Sequence, residues 1–177
     1  CGKRFDWQLG DLPYGYDHKF TYSNIGYNLK ATDLQASIGY AQLDKLNEFI
    51  IKRKENWSKV NSIIEKYSKY FIPHKKERNT DPSWFGYAIS VRENPKFSRD
   101  DIVKYLNENR VATRLMFGGN LVRQPAYKDK EFKIDDSIEN ADFVMKNTFW
   151  IGVYPGITDD MIEYIDSVFE SFLSQFN

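Results

Sequence analysis

The feature that most constrains the fold is a long run of apolar residues at helical spacing. From Thr32 to Phe71, apolar side chains recur every three or four residues, with one gap at Arg53 and Lys54. This spacing places the apolar side chains on one face of a helix. Pro73 follows the run, and proline does not continue a helix. The sequence therefore predicts one long helix, or two nearly collinear helices, over residues 32–72.

The start of this helix has its own signal. The hydroxyl of Thr32 can accept a hydrogen bond from the first turn, and the Gln35 side chain can reach back to the Thr32 amide. A turn containing Gly26 and Asn28 leads directly into this cap. We therefore expect the turn and the helix start to be fixed to each other.

Three β-rich runs follow the long helix, at residues 84–91, 111–117 and 148–154. Between them lie helical patterns at residues 98–109 and 138–146, and a short turn or helix at 121–127. A last helix starts after Thr158, which is a typical N-cap residue. Ser98 is a similar N-cap residue for the helical pattern at 98–109. This order of elements after a long helix predicts a small α+β domain.

Charge and apolar patterning exclude two classes of partner. The chain has 25 Lys and Arg residues and 25 Asp and Glu residues, so no net charge attracts it to nucleic acid or to an anionic membrane. No stretch has the roughly 18 to 20 consecutive apolar residues of a membrane helix, and the N-terminus has no signal pattern. We expect neither partner, and a cytoplasmic location.

The predicted turn and helix start also carry a family resemblance. The residues concerned are Gly26-Tyr27-Asn28-Leu29, Thr32-Asp33-Leu34-Gln35-Ala36, Gly39 and Gln42-Leu43. This string resembles the DegT/DnrJ/EryC1/StrS family of sugar-nucleotide aminotransferases and dehydrases, which use vitamin B6 cofactors. Residues 1–5, 7–13, 15–19, 81–86 and 147–152 look like its branch that acts on CDP-4-keto-6-deoxyglucose as a 3-dehydrase.

The resemblance implies a fold and a division of the chain. It predicts the C-terminal small domain of a fold type I transferase dependent on pyridoxal phosphate, with a long helix followed by a three-stranded sheet packed with helices. Residues 1–31 are then a linker and the end of the large domain, 32–72 the interdomain helix, and 73–177 the small α+β domain. Because the chain begins with Cys1 and not with Met, we expect it to be a fragment.

The resemblance also implies a reaction, which is removal of the sugar C3 hydroxyl in 3,6-dideoxyhexose synthesis. The full-length enzyme would use pyridoxamine or pyridoxal phosphate and a 2Fe-2S cluster, act on a CDP-sugar, form a homodimer and receive electrons from a reductase. Cys1 matches the last of four cluster ligands. The other three ligands and the catalytic His lie upstream in the family, so we expect the fragment to carry neither cofactor and to be inactive.

Four other residues are candidates for binding, none of them catalytic. The resemblance implies that Asn28 reaches the cofactor phosphate of the neighbouring subunit, although turn chemistry also explains an Asn here. Arg114, Phe117 and Asn120 lie on a segment that faces the sugar nucleotide in the family. For Arg114 and for Arg123, which ends this segment, surface ion pairing is the alternative.

Two further functions stay open from the sequence. An aminotransferase of the same family would carry an upstream Schiff-base Lys and no cluster. A non-catalytic module would use residues 32–71 only to dimerise. His18 and His74 are not interpreted as catalytic, because His18 lies next to Asp17 in an aromatic linker and His74 lies in a charged loop.

Overall fold

The computed structural model describes residues 7–8, 10–17, 20–21, 25–27, 29–93, 96–127, 129–134 and 137–176. The chain has two compact units, Cys1–Gln42 and Leu43–Asn177. The described helices and strands are α1 (Asp33–Lys66), β1 (Phe71–Ile72), β2 (Gly86–Val91), α2 (Arg99–Glu108), β3 (Thr113–Leu115), α3 (Glu139–Asn147), β4 (Thr148–Gly152) and α4 (Asp159–Ser174). Short 3-10 helices cover Leu121–Arg123 and Pro125–Tyr127. No helix in this described part is long and apolar enough to cross a membrane.

Helix α1 is continuous and begins as the sequence predicts. The Gln35 amide donates to Thr32 Oγ1 at 3.3 Å, and the Thr32 amide donates to Gln35 Oε1 at 2.9 Å. The helix ends at Lys66, well before Pro73, because the backbone amides of Tyr67 and Ser68 donate three residues back and tighten the chain into turns. The predicted end of this helix at residue 72 is therefore too late.

The described strands form one antiparallel sheet of four, in the order β1-β2-β4-β3. The prediction of three strands is wrong by one, because the helical spacing of apolar residues continues through the residues that form β1. Phe71 fits the helical spacing, but in the structure it pairs with Val91 and is completely buried. Helical spacing alone could not reveal that the chain leaves the helix at Lys66 and turns into a strand at Phe71.

One face of the sheet packs on helices. Along β2 the side chains alternate, so that Tyr87, Ile89 and Val91 are buried. The second half of α1, together with α2 and α4, covers them with the apolar residues Val60, Ile63, Ile64, Ile102, Leu106, Val168, Phe169, Phe172 and Leu173. This is the two-layer arrangement of helices on one face of a sheet that the α+β prediction requires.

Two helices of this layer have the predicted caps. At α2, the Asp101 amide donates to Ser98 Oγ and the Ser98 amide donates to Asp101 Oδ2, which completes a capping box. At α4, the Met161 amide donates to Thr158 Oγ1. Asp substitutes here for the usual Glu or Gln of the box, and its shorter side chain still reaches the cap amide.

A pair of substitutions in β1 tests this unexpected strand. Phe71 is completely buried, and its ring lies edge-on to Phe169 at 5.6 Å, whereas the neighbouring Ile72 is 38% exposed. We expect Phe71→Ala to lower the free energy of unfolding by about 3–5 kcal/mol through lost burial and a cavity. Ile72→Ala is the control and should cost less than half as much in urea denaturation. Equal costs would contradict the alternation of a strand.

Candidate functional site

The face of the sheet away from the core carries the candidate site. The strand register sets Ala88 of β2 beside Trp150 of β4, and Trp150 beside Arg114 of β3. Because facing residues in a sheet share a side, these three residues lie on the same face. Small residues on β2 leave room there for the large indole of Trp150.

Trp150 lies across the sheet towards β2, and two contacts fix it. Its indole Nε1 donates to the carbonyl oxygen of Leu115 at 3.1 Å. A Cβ atom added to Gly86 would lie 2.6 Å from Trp150 Cε3 and 3.3 Å from the carbonyl oxygen of Ile151. Glycine at position 86 is therefore needed for the close approach of this ring.

A cavity of about 180 Å³ opens beside this ring, and we call it the aromatic cavity. Its lining is nearly all apolar and consists of His74, Trp84, Phe85, Gly86, Ala88, Met116, Phe117 and Trp150. Phe85 packs edge-on against Trp150 at a centroid distance of 5.4 Å, and His74 packs edge-on against Trp84 at 4.8 Å. Edge-to-face packing of this kind is a favoured arrangement of aromatic rings.

His74 is held at the cavity through its backbone. Its amide donates to the Tyr87 hydroxyl at 3.0 Å, and that hydroxyl donates to Asn61 Oδ1 at 2.6 Å. Burial lowers the pKa of His74 and raises the pKa of Tyr87 to about 12. His74 is thus neutral at pH 7, with one donor and one acceptor nitrogen.

Neither imidazole nitrogen of His74 has a hydrogen-bond partner among the described residues. The same cluster extends behind the cavity, where Trp57 of α1 stacks on Trp84 at 5.5 Å. The imidazole of His74 therefore lies in a cluster of aromatic rings and is available for a hydrogen bond with a ligand.

Arg114, predicted on the substrate side, is exposed next to Trp150. Its Nη1 donates to the carbonyl oxygen of Thr113 at 2.8 Å. Within the described ranges it has no ion pair with a carboxylate. The ion-pairing alternative therefore does not account for Arg114, whose charge is available for an anion.

Phe117, also predicted on the substrate side, lies at the rim of the aromatic cavity. It is 76% exposed, and its ring centroid is 6.2 Å from that of Trp150. Its backbone has φ +44, and its amide donates to the carbonyl oxygen of Leu115 at 2.7 Å. A bulky residue in the left-handed region is strained, and such strain persists where the surroundings enforce it.

Asn120, the third residue of this prediction, is buried beneath the same loop. Its Oδ1 accepts from the Val122 amide at 3.2 Å, and its Nδ2 donates to Asp142 Oδ1 at 2.9 Å. Arg123 binds the same carboxylate with two nitrogens, at 3.1 and 2.8 Å. Arg123 and Asn120 hold the pKa of Asp142 at about 2. Arg123 is therefore ion-paired, and this network anchors the loop on α3.

Cys1, Asn28 and His18 lie outside the described residues. Among the residues that are described, no group of three or more His, Cys, Asp or Glu could hold a metal ion. The aromatic cavity is too apolar to hold a phosphate. The described residues thus offer no group of ligands for a 2Fe-2S cluster, and the aromatic cavity does not suit the phosphate of a pyridoxal phosphate.

Sequence reasoning missed the aromatic cavity and the place of His74 in it. A signal was present, because Gly86, Ala88 and Ser90 alternate with large residues and so predict an uncrowded face of β2. The pairing of that face with Trp150 is a contact between distant parts of the chain. This pairing could not be predicted from the sequence of β2 or of β4 alone.

The model of the DegT/DnrJ/EryC1/StrS aminotransferase family matches residues 12–170. The chain is 45% identical to the lipopolysaccharide biosynthesis protein RfbH of Salmonella typhimurium, over 97% of this chain and 39% of that protein. It is 43% identical to a dTDP-4-dehydro-2,6-dideoxy-D-glucose 3-dehydratase of Saccharopolyspora spinosa, over 99% of this chain and 38% of that protein. The chain thus spans about two fifths of the length of these relatives.

Solved structures have the same fold. One is a GDP-4-keto-6-deoxymannose-3-dehydratase with a trapped PLP-glutamate geminal diamine, with a TM-score of 0.70 and 25% identity over 85% of this chain and 38% of that one. Another is an aminotransferase from Psychrobacter cryohalolentis, with a TM-score of 0.76 and 18% identity over 94% of this chain and 44% of that one. The predicted α+β small domain of a fold type I transferase is confirmed by these similarities.

The contact between Gly86 and Trp150 can be tested with paired glycine substitutions. Gly86→Ala places a methyl group against the indole and the backbone of β4, so we expect a loss of about 1–3 kcal/mol in the free energy of unfolding. Gly152 faces Gly86 in the register and has nothing within 4 Å of an added Cβ. Gly152→Ala should therefore change stability by no more than about 0.5 kcal/mol. Similar losses in both would refute the close packing of Trp150.

The network at Asp142 predicts a pH dependence of stability. The folded-state pKa of Asp142, about 2, is below the ordinary value of 3.8, so the ion pair stabilises the fold above about pH 4 and is lost as pH falls towards 2. We expect Asp142→Asn to be less stable than the wild type at pH 6, and the difference to shrink as the pH falls from about 4 to 2. The exposed Asp44→Asn is the control, and urea denaturation across this range is the measurement. A difference that does not depend on pH would contradict the ion pair.

Proposed function

The chain belongs to the DegT/DnrJ/EryC1/StrS aminotransferase family, and we propose that it forms the C-terminal part of a sugar-nucleotide 3-dehydratase. The observation that carries the proposal is the 43% identity to a named 3-dehydratase over 99% of this chain. The reaction is removal of the C3 hydroxyl of a 4-keto-6-deoxy sugar attached to a nucleotide. The substrate is CDP-4-keto-6-deoxyglucose, and the product enters 3,6-dideoxyhexose synthesis.

On this proposal the described residues bind and position the substrate. Arg114 pairs with the diphosphate, since a guanidinium without a carboxylate partner suits phosphate oxygens. Phe117 contacts the nucleotide part from the rim of the aromatic cavity. Asn120 contributes indirectly, because its buried side-chain amide holds in place the loop that carries Phe117.

The proposed cofactors are pyridoxamine or pyridoxal phosphate and a 2Fe-2S cluster, both in the full-length protein. A relative of known structure, 25% identical, carries a PLP adduct. Cys1 is proposed as one cluster ligand and Asn28 as a cofactor phosphate ligand of the neighbouring subunit. The isolated chain of 177 residues is proposed to be inactive, because three cluster ligands and the catalytic residue are proposed to lie upstream.

We also propose a homodimer, with an electron-transferring reductase as second partner. The first half of α1 supports association, because its large apolar side chains are exposed, namely Leu34, Ile38, Tyr40, Leu43 and Leu46. Because the positive and negative charges of the chain balance, its net charge does not attract anions. A small anionic substrate would therefore be bound by individual Arg or Lys side chains in its site. The cytoplasmic location stays a prediction.

The test uses the full-length protein with CDP-4-keto-6-deoxyglucose, a reductant and, as amino donor, glutamate. We expect a product that lacks the C3 hydroxyl, and iron and sulfide that are lost in Cys1→Ser, because one missing thiolate opens the cluster. Mass spectrometry of the product and iron and sulfide analysis are the measurements. A product with an amino group at C4, from a protein without iron that ignores Cys1→Ser, identifies the aminotransferase instead.

A further inference from the structure

We propose that the aromatic cavity binds the pyrimidine base of the sugar nucleotide, which deepens the proposed function and rests on it. The cavity adjoins the two groups already placed on the substrate side, because Phe117 lines it and Arg114 lies beside Trp150. The proposed reaction takes place on the sugar, so it does not by itself say where the base binds. The arguments for it are the size of the cavity, the chemistry of its lining and the position of Arg114 beside Trp150.

The size of the cavity matches a ligand with a single aromatic ring. Its volume is about 180 Å³, whereas an engineered apolar cavity of about 150 Å³ holds a benzene molecule. Sites for whole ligands are larger, about 300 to 1,000 Å³. The cavity therefore accommodates a single six-membered ring with its substituents.

The lining suits a flat heteroaromatic ring. Phe117 and Trp150 present aromatic surfaces at the rim, and Gly86 and Ala88 leave the sheet open beneath them. Nucleobases stack on Trp and Phe side chains because every base has a π-face. The absence of charged groups among the lining residues favours a neutral ring over a sugar or a phosphate.

His74 supplies the polar contact that orients such a ring. Its imidazole nitrogens have no partner among the described residues, and its backbone is fixed through Tyr87. A neutral imidazole has one donor nitrogen and one acceptor nitrogen, and either of them can form a hydrogen bond with one polar atom of a pyrimidine edge. Burial, which lowers the pKa of His74, keeps it in this neutral form.

Arg114 is the cation that a nucleotide bound in this way requires. The register Ala88–Trp150–Arg114 crosses three adjacent strands, so Arg114 is one strand further from the cavity than Trp150. Adjacent strands lie about 4.8 Å apart, and an arginine side chain spans that distance. A base in the cavity can thus have its diphosphate at Arg114. The strained backbone of Phe117, between β3 and the cavity rim, is the kind of outlier found at binding sites.

The test is calorimetric titration of the full-length protein with CDP and with GDP. We expect CDP to bind at least about tenfold more tightly than GDP, because the volume of the cavity matches a single six-membered ring. Phe117→Gly removes the ring and allows the positive φ, and it should weaken CDP binding about tenfold. His74→Leu should weaken CDP binding while keeping the apolar lining. Arg114→Gln should weaken CDP and GDP alike, because the diphosphate is common to both.

The control is Phe132→Gly, which removes another exposed aromatic ring that does not line the cavity; it should bind CDP as the wild type does. If the wild type converts the sugar nucleotide but Phe117→Gly and His74→Leu bind CDP normally, the cavity proposal is overturned and the proposed function stands. Equal affinity for CDP and GDP also overturns it. If CDP binding depends on the cavity but no dehydration occurs, the base site is supported and the proposed reaction fails.

Discussion

The rest of the domain depends on the pairing of β2 with β4. These strands are central in the sheet. Successive side chains of β2 point alternately into the core and onto the open face. Tyr87 and Ile89 are completely buried against the helices. On the opposite side Gly86 and Ala88 leave space for Trp150. A shift of one residue in this register would bury the small residues and expose the large ones, so the core and the cavity are fixed together.

Local signals in the sequence predicted the local features well. The caps at Thr32, Ser98 and Thr158 formed as expected, because a cap needs only residues within one turn of each other. The strand β1 was not predicted, since Phe71 satisfies the helical spacing and its burial depends on Phe169, far along the chain. The cavity was missed for the same reason, as its lining comes from segments that only the sheet brings together.

The two arginines of the loop segment show what the sequence could not distinguish. Arg114 and Arg123 flank the same glycine pair, and either could have been ion-paired. In the structure Arg123 is bound by Asp142, which comes from α3, while Arg114 has no ion pair with a described carboxylate. The difference arises from the position of α3 over one end of the segment. The charge of the two side chains is the same, so it could not show that Arg123 stabilises the fold while Arg114 is available to a ligand.

The same ion pair explains how a strained residue can persist at the rim of the cavity. Phe117 has a positive φ that costs free energy in any L-residue with a large side chain. The loop cannot relax, because Asn120 and Arg123 tie it to Asp142, and Gly119, also at positive φ, packs against Met145 so closely that a Cβ would lie 2.7 Å from its Cγ. The anchoring contacts are buried or charge-assisted, whereas the Phe117 ring itself is exposed. The stabilisation thus lies beneath the loop and the strain lies at its surface, which is the arrangement expected where a side chain is held in place for a ligand.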